Sequence, residues 1–280
     1  MKLRRILTAG VTALAASAVL GTVPPVVQAS SAAAATWTRQ HPASSPPGRE
    51  EAALAYDAAT GTVVLFGGSG DVSDTWTWNG TTWTQQHPAI SPPSRVGAAM
   101  AYDAATGTVV LFGGFGSSSL LGDTWTWNGT TWTQQHPAAS PLIRGYPAAA
   151  YDAATGSVVL FGGEHPDGAN FRDTWTWDGA TWTQQHPATS PRARQSAGMA
   201  YDAATGTVVL FGGFNSRNTP YYLADTWTWD GATWAKQYPA AHPSARSGPP
   251  MAYSAATGTV VLFGGGAPDG GVLGDTWTWG

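Results

Sequence analysis

The chain has 280 residues, no cysteine, 15 tryptophans and a formal net charge of −4. Without cysteine there can be no disulfide and no lipid-modified thiol, so the hydrophobic core alone must stabilise the fold. The acidic balance argues against a nucleic-acid partner, because binding to phosphates requires a basic face.

Residues 1–35 have the pattern of a secretory signal peptide. Three basic residues within the first five precede an apolar stretch, and small residues lead to a cleavage site after Ala35. Cleavage after Ala29 and export by a twin-arginine route are alternatives. Loss of the three cations would change the formal net charge from −4 to −7. We therefore expect a secreted protein, extracellular or associated with the cell surface. No later stretch is as apolar as a transmembrane helix, so we expect no membrane insertion.

The rest of the sequence repeats itself with a period of about 50 residues. The string Val-Val-Leu-Phe-Gly-Gly, followed at a short distance by Asp-Thr-Trp-Thr-Trp, occurs five times. Its copies are marked by Phe66, Phe112, Phe161, Phe211 and Phe263. Such a period indicates an array of units that bury their apolar faces only by stacking on one another.

Each period reads as four short strands, as the second copy illustrates. Small apolar residues 95–102 end at a turn closed by glycine, and Thr108–Phe112 is a continuous β-branched and apolar run. Residues 123–127 alternate strictly, and Asn128-Gly129 joins them to residues 130–133, which is a strong hairpin signal. The unit is therefore predicted to be a four-stranded antiparallel meander, as in a propeller blade.

These residues resemble the repeat of kelch β-propellers. The Gly-Gly pair that ends an apolar strand, the aromatic residue before it and the tryptophan after it all match, and the resemblance covers residues 37–280. It implies an all-β propeller, and the five copies predict five four-stranded blades.

The two ends of the repeated region predict how the ring closes. The last copy stops after its third strand at Gly280, whereas residues 36–42 match the fourth strand and exit turn of other copies, such as residues 181–187. We expect the N-terminal strand to complete the last blade of a propeller domain at residues 36–280, because this closure leaves no unpaired edge between blades. A fragment of a larger ring is the alternative.

The repeated aromatic and charged residues are predicted to be scaffold. Fourteen of the 15 tryptophans lie in the repeated strands, and each can bury about 150–250 Å² between blades, so core packing is favoured over sugar stacking. An arginine opens each first strand and an aspartate precedes each third strand, which favours structural ion pairs over an anion-binding ring. These are Arg49, Arg95, Arg144, Arg194 and Arg246 with Asp74, Asp123, Asp173, Asp225 and Asp275.

Two enzymatic functions are alternatives to a binding role. Kelch-like propellers resemble galactose oxidase, whose copper site uses a cysteine bonded to tyrosine, and this chain has no cysteine with which to build it. Four of the histidines occupy one repeated Gln-His-Pro turn, so they would be spaced around the ring instead of converging on a metal. For a glycosidase, Glu50 and Glu51 would point to opposite faces of a strand. We therefore predict no catalytic residue, no metal and no cofactor, with an oxidase-like or glycosidase-like enzyme as the alternative.

Function is expected where the copies differ from one another. The loops between second and third strands vary most, at residues 69–73, 115–122, 164–172, 214–224 and 266–274. Aromatic, arginine and amide groups on exposed loops are typical of binding surfaces. The candidates in the third and fourth loops are Glu164, His165, Asp167, Phe171, Arg172, Phe214, Arg217, Tyr221 and Tyr222.

A second set of candidates is predicted to line the central channel. Two residues after the repeated arginine, the copies carry Glu51, Gly97, Tyr146, Ser196 and Gly248, which are unlike one another. Glu51 and Tyr146 are the candidate ligand-binding residues of this set.

The expected function is thus that of a secreted, non-catalytic binding module whose partner is an extracellular glycan or a protein. The fold alone does not decide between them. One hypothesis is a multivalent glycan binder with equivalent sites between blades. The other is a single protein-binding site on the third and fourth loops.

Overall fold

Five antiparallel sheets follow one another along the computed structural model, which describes residues 39–280. Each sheet is a meander, so neighbouring strands in the sequence are also neighbours in the sheet. Four sheets have four strands and the last has three within the described residues. The fold is an all-β, five-bladed propeller, as the repeats predicted.

The strands recur at the same places in every repeat. Blade 1 contains β1 (Ala53–Asp57), β2 (Thr62–Phe66), β3 (Thr75–Trp78) and β4 (Trp83–Gln86). Blade 2 contains β5 (Ala99–Asp103), β6 (Thr108–Phe112), β7 (Thr124–Trp127) and β8 (Trp132–Gln135). Blade 3 contains β9 (Ala148–Asp152), β10 (Ser157–Phe161), β11 (Thr174–Trp177) and β12 (Trp182–Gln185). Blade 4 contains β13 (Gly198–Asp202), β14 (Thr207–Phe211), β15 (Thr226–Trp229) and β16 (Trp234–Gln237). Blade 5 contains β17 (Met251–Ser254), β18 (Thr259–Gly266) and β19 (Val272–Trp279).

In blades 1 to 4, the tight turns that follow the first and third strands are each closed by a side chain and a glycine. In blade 2, the Asp103 carboxylate accepts the Ala105 N–H at 3.0 Å, and Gly107 takes a φ of +68° while donating its N–H to the Asp103 carbonyl. The second hairpin uses Asn128, whose Oδ1 accepts the N–H groups of Thr130 and Thr131. These are the local hydrogen bonds for which Asp, Asn and Gly are favoured in turns.

The core lies between consecutive blades. Val110 and Phe112 of blade 2 pack against Val158, Trp177 and Trp182 of blade 3 in one buried cluster. The indoles of Trp127, Trp177 and Trp229 have no exposed surface. The tryptophans are thus predominantly core residues, as predicted.

The first strands are innermost and follow one another from blade 1 to blade 5, since β1, β5, β9, β13 and β17 contact in series. At the two ends of this series, apolar side chains are exposed. Phe263 of blade 5 is 49% exposed, whereas its counterpart Phe112 is buried, and Leu54 and Tyr56 of blade 1 are also exposed.

Three predicted boundaries were wrong. The first strand of blade 2 begins at Ala99 and not at residue 95, because Gly97 has a left-handed φ of +60° that interrupts it. The fourth strand begins at Trp132, because residues 130 and 131 are held in the Asn128 turn. The predicted fifth loop at 266–274 is shorter and consists of residues 267–271, because β18 extends to Gly266 and β19 begins at Val272.

Two predictions fall on the N-terminal part of the chain. The signal peptide at residues 1–35 lies outside the described residues. So do residues 36–38 of the strand predicted to complete blade 5, while Arg39 and Gln40 are described and lie in no strand. The three-stranded last sheet is consistent with the predicted closure.

Candidate functional site

Five equivalent residues surround the axis of the propeller, one from each blade. They are Glu51, Gly97, Tyr146, Ser196 and Gly248, with φ angles of 56°, 60°, 51°, 51° and 61°. Glycine adopts this left-handed conformation freely, whereas other residues do so at a cost of about 1–3 kcal/mol. Three blades nevertheless place a glutamate, a tyrosine and a serine here.

Backbone hydrogen bonds join these axial residues in sequence around the axis. Gly97 N–H donates to the Glu51 carbonyl at 3.1 Å, and Tyr146 N–H donates to the Gly97 carbonyl at 2.8 Å. Ser196 N–H donates to the Tyr146 carbonyl at 3.0 Å, and Gly248 N–H donates to the Ser196 carbonyl at 2.7 Å. The same inter-blade bond therefore recurs at each of the four junctions from blade 1 to blade 5.

The axial side chains form one wall of a cavity of about 190 Å³. The Tyr146 hydroxyl donates to Glu51 Oε2 at 2.6 Å, which joins blade 3 to blade 1. The Tyr146 ring lies against Gly97, so closely that a Cβ added at Gly97 would clash with it. The centroid of the Tyr146 ring is 5.1 Å from that of Phe115. The cavity is lined by Glu51, Ala52, Gly97, Ala98, Tyr146, Pro147, Ser196 and Gly248.

The electrostatics of this cavity are acidic. Burial raises the pKa of Tyr146 above its usual value, and the hydrogen bond to Glu51 and the nearby charge of Glu164 raise it further. Tyr146 is therefore a neutral hydrogen-bonding group at physiological pH. The lining of the cavity thus combines the Tyr146 ring, the Glu51 carboxylate and the Ser196 hydroxyl.

The repeated ion pairs hold the base of this site, and they confirm the predicted pairing in all five blades. In blade 3, the buried Arg144 guanidinium binds Asp173 through both oxygens, at 2.7 and 2.9 Å, and also donates to the Gly162 carbonyl. The Arg144 carbonyl accepts the Gly114 N–H of blade 2 at 2.9 Å. The carbonyls of Arg95, Arg194 and Arg246 accept equivalent bonds, so these four arginines each fix their own blade and the preceding one, two residues before the axial position.

The third and fourth variable loops are tied to each other. Arg217 donates to the Asp167 carbonyl at 2.9 Å and lies 3.1 Å from its carboxylate. Asn170 accepts the Ser216 N–H at 2.7 Å and donates to Gln195 Oε1 at 2.7 Å. These two loops form a single surface beside the axis, which we call the loop platform (residues 164–172 and 214–224).

Within the loop platform, the aromatic residues have two different roles. The Phe171 ring lies 4.0 Å below the Arg144 guanidinium and 5.0 Å from the His165 ring, so it covers the ion pair and is half-buried. The Phe214 ring contacts Tyr222 at 5.2 Å and Tyr221 at 6.3 Å. Tyr221 is 48% exposed and presents a face to solvent.

Charged groups of the platform neutralise one another. The pKa of Asp167 is lowered because the Ala169 N–H donates to its carboxylate and because His165 and Arg217 lie beside it. His165 Nδ1 lies 2.7 Å from Asp167 Oδ1. Arg172 is exposed and contributes its carbonyl, which accepts the Ser190 hydroxyl.

The structure thus divides the sequence-predicted candidates into two sets. Glu51 and Tyr146 meet at the axis, and Glu164 joins them because its backbone pairs with Gly145. The remaining candidates belong to the loop platform. Sequence reasoning missed Phe115, although it directly follows a Gly-Gly pair, where the other copies carry Ser69, Glu164, Phe214 and Gly266.

The described residues contain no group of three or more His, Asp or Glu side chains placed to hold a metal ion. Among residues 39–280, no helix has the length and apolar character needed to cross a membrane. Comparison with protein-family models and with curated proteins found no match to this chain.

Proposed function

We propose that this chain is a secreted, non-catalytic, kelch-type binding protein that recognises a glycan at the axial cavity. One observation carries the proposal: Glu51, Tyr146 and Ser196 occupy left-handed positions that two other blades fill with glycine. Strained residues persist where the surrounding structure and a function require them, and they cluster at ligand sites.

The chemistry of the cavity supports a sugar ligand. The Tyr146 ring offers apolar surface for the C–H face of a sugar ring, while Glu51 and Ser196 offer partners for its hydroxyl groups. The repeated tryptophans are predominantly buried between blades, so they do not provide a set of equivalent surface sites. This favours one site per chain over the multivalent binder that the repeats also suggested.

Binding to a broad glycan array, followed by calorimetry of any hit, tests the proposal. We expect one equivalent of sugar per chain and loss of binding in Tyr146→Gly, which keeps the left-handed backbone and removes the side chain. Tyr221→Ala, a change of the same residue type on the loop platform, should bind normally. Several equivalents per chain, or binding that survives Tyr146→Gly, would contradict the axial site.

A protein partner on the loop platform is the second candidate. The exposed Tyr221 ring and the Arg217 side chain, which is 54% exposed, are the residue types that dominate protein interfaces. This candidate predicts that Tyr221→Ala with Tyr222→Ala abolishes pull-down of the partner, while Tyr146→Gly leaves it unchanged. Secretion is tested separately, by export of a reporter fused to residues 1–35.

A further inference from the structure

A groove at the outer edge of blade 4 has a counterpart at the same place in blade 1. It has a volume of about 330 Å³ and is lined by residues 224–226 at the start of β15, 236–239 at the end of β16, and 242 in the turn that leads to blade 5. We call it the blade 4 groove. The groove of blade 1 measures about 370 Å³ and is lined by residues 72–75, 85–88 and 91. The repeat thus builds the same kind of groove in both blades, and its lining can be compared between them.

Three lining positions of the blade 4 groove depart from the repeat together. Lys236 stands where blades 1 to 3 have glutamine, Tyr238 where they have histidine, and His242 where they have serine. The residues at these positions in the other blades are Gln85, Gln134 and Gln184, then His87, His136 and His186, and then Ser91, Ser140 and Ser190. The aspartate, threonine, glutamine and proline that line the groove are the same in blades 1 and 4. The departures therefore change the chemistry of one groove and leave its framework as it is elsewhere.

The departures give the blade 4 groove an unpaired positive charge. Lys236 is exposed, and among the described residues it forms no ion pair. The carboxylate in the groove, Asp225, is already bound on both oxygens by the Arg194 guanidinium, at 2.7 and 2.9 Å, and it also accepts the Trp227 indole N–H at 2.7 Å. Because Asp225 is neutralised by Arg194, the Lys236 ammonium is left to attract an anion.

The other two departures add a ring face and a hydrogen-bonding nitrogen. The Tyr238 ring is 81% exposed, and the Lys236 ammonium lies 5.4 Å from its centroid. His242 Nδ1 lies 2.9 Å from the Pro243 carbonyl, which can only accept, so Nδ1 carries the proton of that bond and Nε2 is left for a ligand. A cation, an aromatic face and a polar nitrogen thus border one small groove.

We propose that the blade 4 groove is a binding site for an acidic sugar unit of a polysaccharide, such as a uronate. Lys236 binds the carboxylate, the Tyr238 ring packs against the C–H face of the sugar, and His242 Nε2 hydrogen-bonds to a hydroxyl group. The volume of about 330 Å³ is at the small end of ligand pockets, which measure about 300–1,000 Å³.

The polar lining of the groove favours a sugar over a protein partner. Six of its eight lining residues are polar. A stable protein interface buries about 800 Å² on each partner around a core depleted of charged residues, and this groove offers neither the area nor the apolar core.

The blade 4 groove and the axial cavity select sugars of different charge. Glu51 lines the axial cavity and Glu164 lies close to Tyr146, so an acidic sugar is repelled there. The proposal for the groove therefore does not depend on the axial site. Tyr146→Gly should leave the binding of an acidic sugar unchanged, and Lys236→Gln should leave the axial site unchanged.

Calorimetry with two acidic probes, tetragalacturonate and a hyaluronan tetrasaccharide, tests the groove on the natural chain. We expect one equivalent of at least one probe to bind, with an affinity that falls as salt is added. The methyl ester of tetragalacturonate keeps the sugar rings and removes the charge, so it should not bind. The proposal is overturned if neither acidic probe binds or if the ester binds as tightly as the acid. Equally tight binding of tetraglutamate would show that the groove selects negative charge and not a sugar.

Substitutions that restore the repeat identify the residues responsible. Lys236→Gln, Tyr238→His and His242→Ser each install the residue that blades 1 to 3 carry, so we expect unchanged melting temperatures. Lys236→Gln should weaken binding of the acidic probe about tenfold. Arg192→Gln removes one positive charge outside the groove and should bind normally, whereas equal losses in the two variants would mean that only net charge matters.

The groove of blade 1 allows the reciprocal experiment. The triple variant Gln85→Lys, His87→Tyr and Ser91→His places the same three side chains in a groove of similar size. We expect this chain to bind a second equivalent of the acidic probe. A single equivalent, still lost with Lys236→Gln, would show that the three side chains do not make the site and would overturn its assignment.

Discussion

Trp132 of blade 2 donates its indole N–H to the Thr75 hydroxyl of blade 1 across a distance of 2.8 Å, and both residues are almost fully buried. A buried indole that loses its acceptor retains the desolvation cost of its N–H, about 1–3 kcal/mol. Thr75→Val has nearly the same shape and lacks the hydroxyl. We expect it to lower the free energy of unfolding by this amount, as measured by denaturant titration.

Thr84→Val is the matched control for that change. Thr84 lies on β4 of the same blade and is exposed, so its substitution should alter stability by less than about 0.5 kcal/mol. Equal effects of the two substitutions would show that the indole bond is not responsible.

The strained serine at the axis predicts a gain of stability on substitution. Ser196 has a φ of 51°, where glycine carries no steric penalty. Ser196→Gly should raise the free energy of unfolding by about 1 kcal/mol, while weakening glycan binding. The same change in the ordinary strand conformation of Ser157→Gly should destabilise, so a loss of stability in both variants would refute the assignment of strain.

Two axial glycines separate backbone strain from contact with Tyr146. Gly97 and Gly248 have nearly the same φ, 60° and 61°, yet an added Cβ meets the Tyr146 ring only at Gly97 and has nothing within 4 Å at Gly248. Both alanine variants should lose about 1–2 kcal/mol from strain. Gly97→Ala should lose more and should also reduce glycan binding, because it displaces Tyr146. The proposed site would be in doubt if the two variants bound glycan equally well.

The ion pairs predict loss of stability in acid. Burial alone would raise the pKa of Asp123 and Asp225, but hydrogen bonds and charge from Arg95 and Arg194 outweigh it, so both pKa values are lowered. A carboxylate whose folded pKa is lowered contributes stability above its unfolded pKa of about 3.9, and this contribution disappears as the pH falls through the folded value. Unfolding measured from pH 6 to pH 2 should therefore show a plateau and then a decline below about pH 4.

Asp123→Asn provides the comparison for the acid profile. It should be less stable than the natural chain on the plateau, because Arg95 is buried and loses its charged partner. Its decline below about pH 4 should be shallower, since one titrating group has been removed. Parallel profiles of the two proteins would mean that Asp123 does not contribute to the acid transition.

The fold was predictable from the sequence because its determinants are local and repeated. The Gly-Gly string marks the second strand and the Asp-Thr-Trp-Thr-Trp string marks the third strand, and both strings occur five times. Each copy therefore predicts the same strands and the same packing between blades. The pairing of Arg144 with Asp173 also followed from repetition, since one arginine and one aspartate per repeat leave few other partners. Even the axial positions were identified, because they vary at a fixed distance from the repeated arginine.

The details of the site were less predictable because they depend on non-repeated contacts. Nothing in the sequence shows that Arg217 reaches Asp167 or that Phe171 covers Arg144, since both contacts join residues in different surface loops or repeats. The left-handed conformation of Tyr146 was also not predicted, although the glycines at the equivalent positions, Gly97 and Gly248, are a sequence signal for it.

Apart from the bond between Tyr146 and Glu51, the hydrogen bonds that join the axial residues involve only main-chain atoms, so these do not depend on which side chain an axial residue carries. The main-chain bonds that hold the blades together are therefore separate from the side chains that determine which ligand the cavity binds. The five axial residues, Glu, Gly, Tyr, Ser and Gly, set the chemistry of the cavity. Replacing them changes that chemistry without changing a strand of any blade. Substitutions at these positions change the groups offered to a ligand, at a cost in stability of about 1–3 kcal/mol where a glycine is replaced. A library restricted to these positions would test how many ligands one propeller can bind.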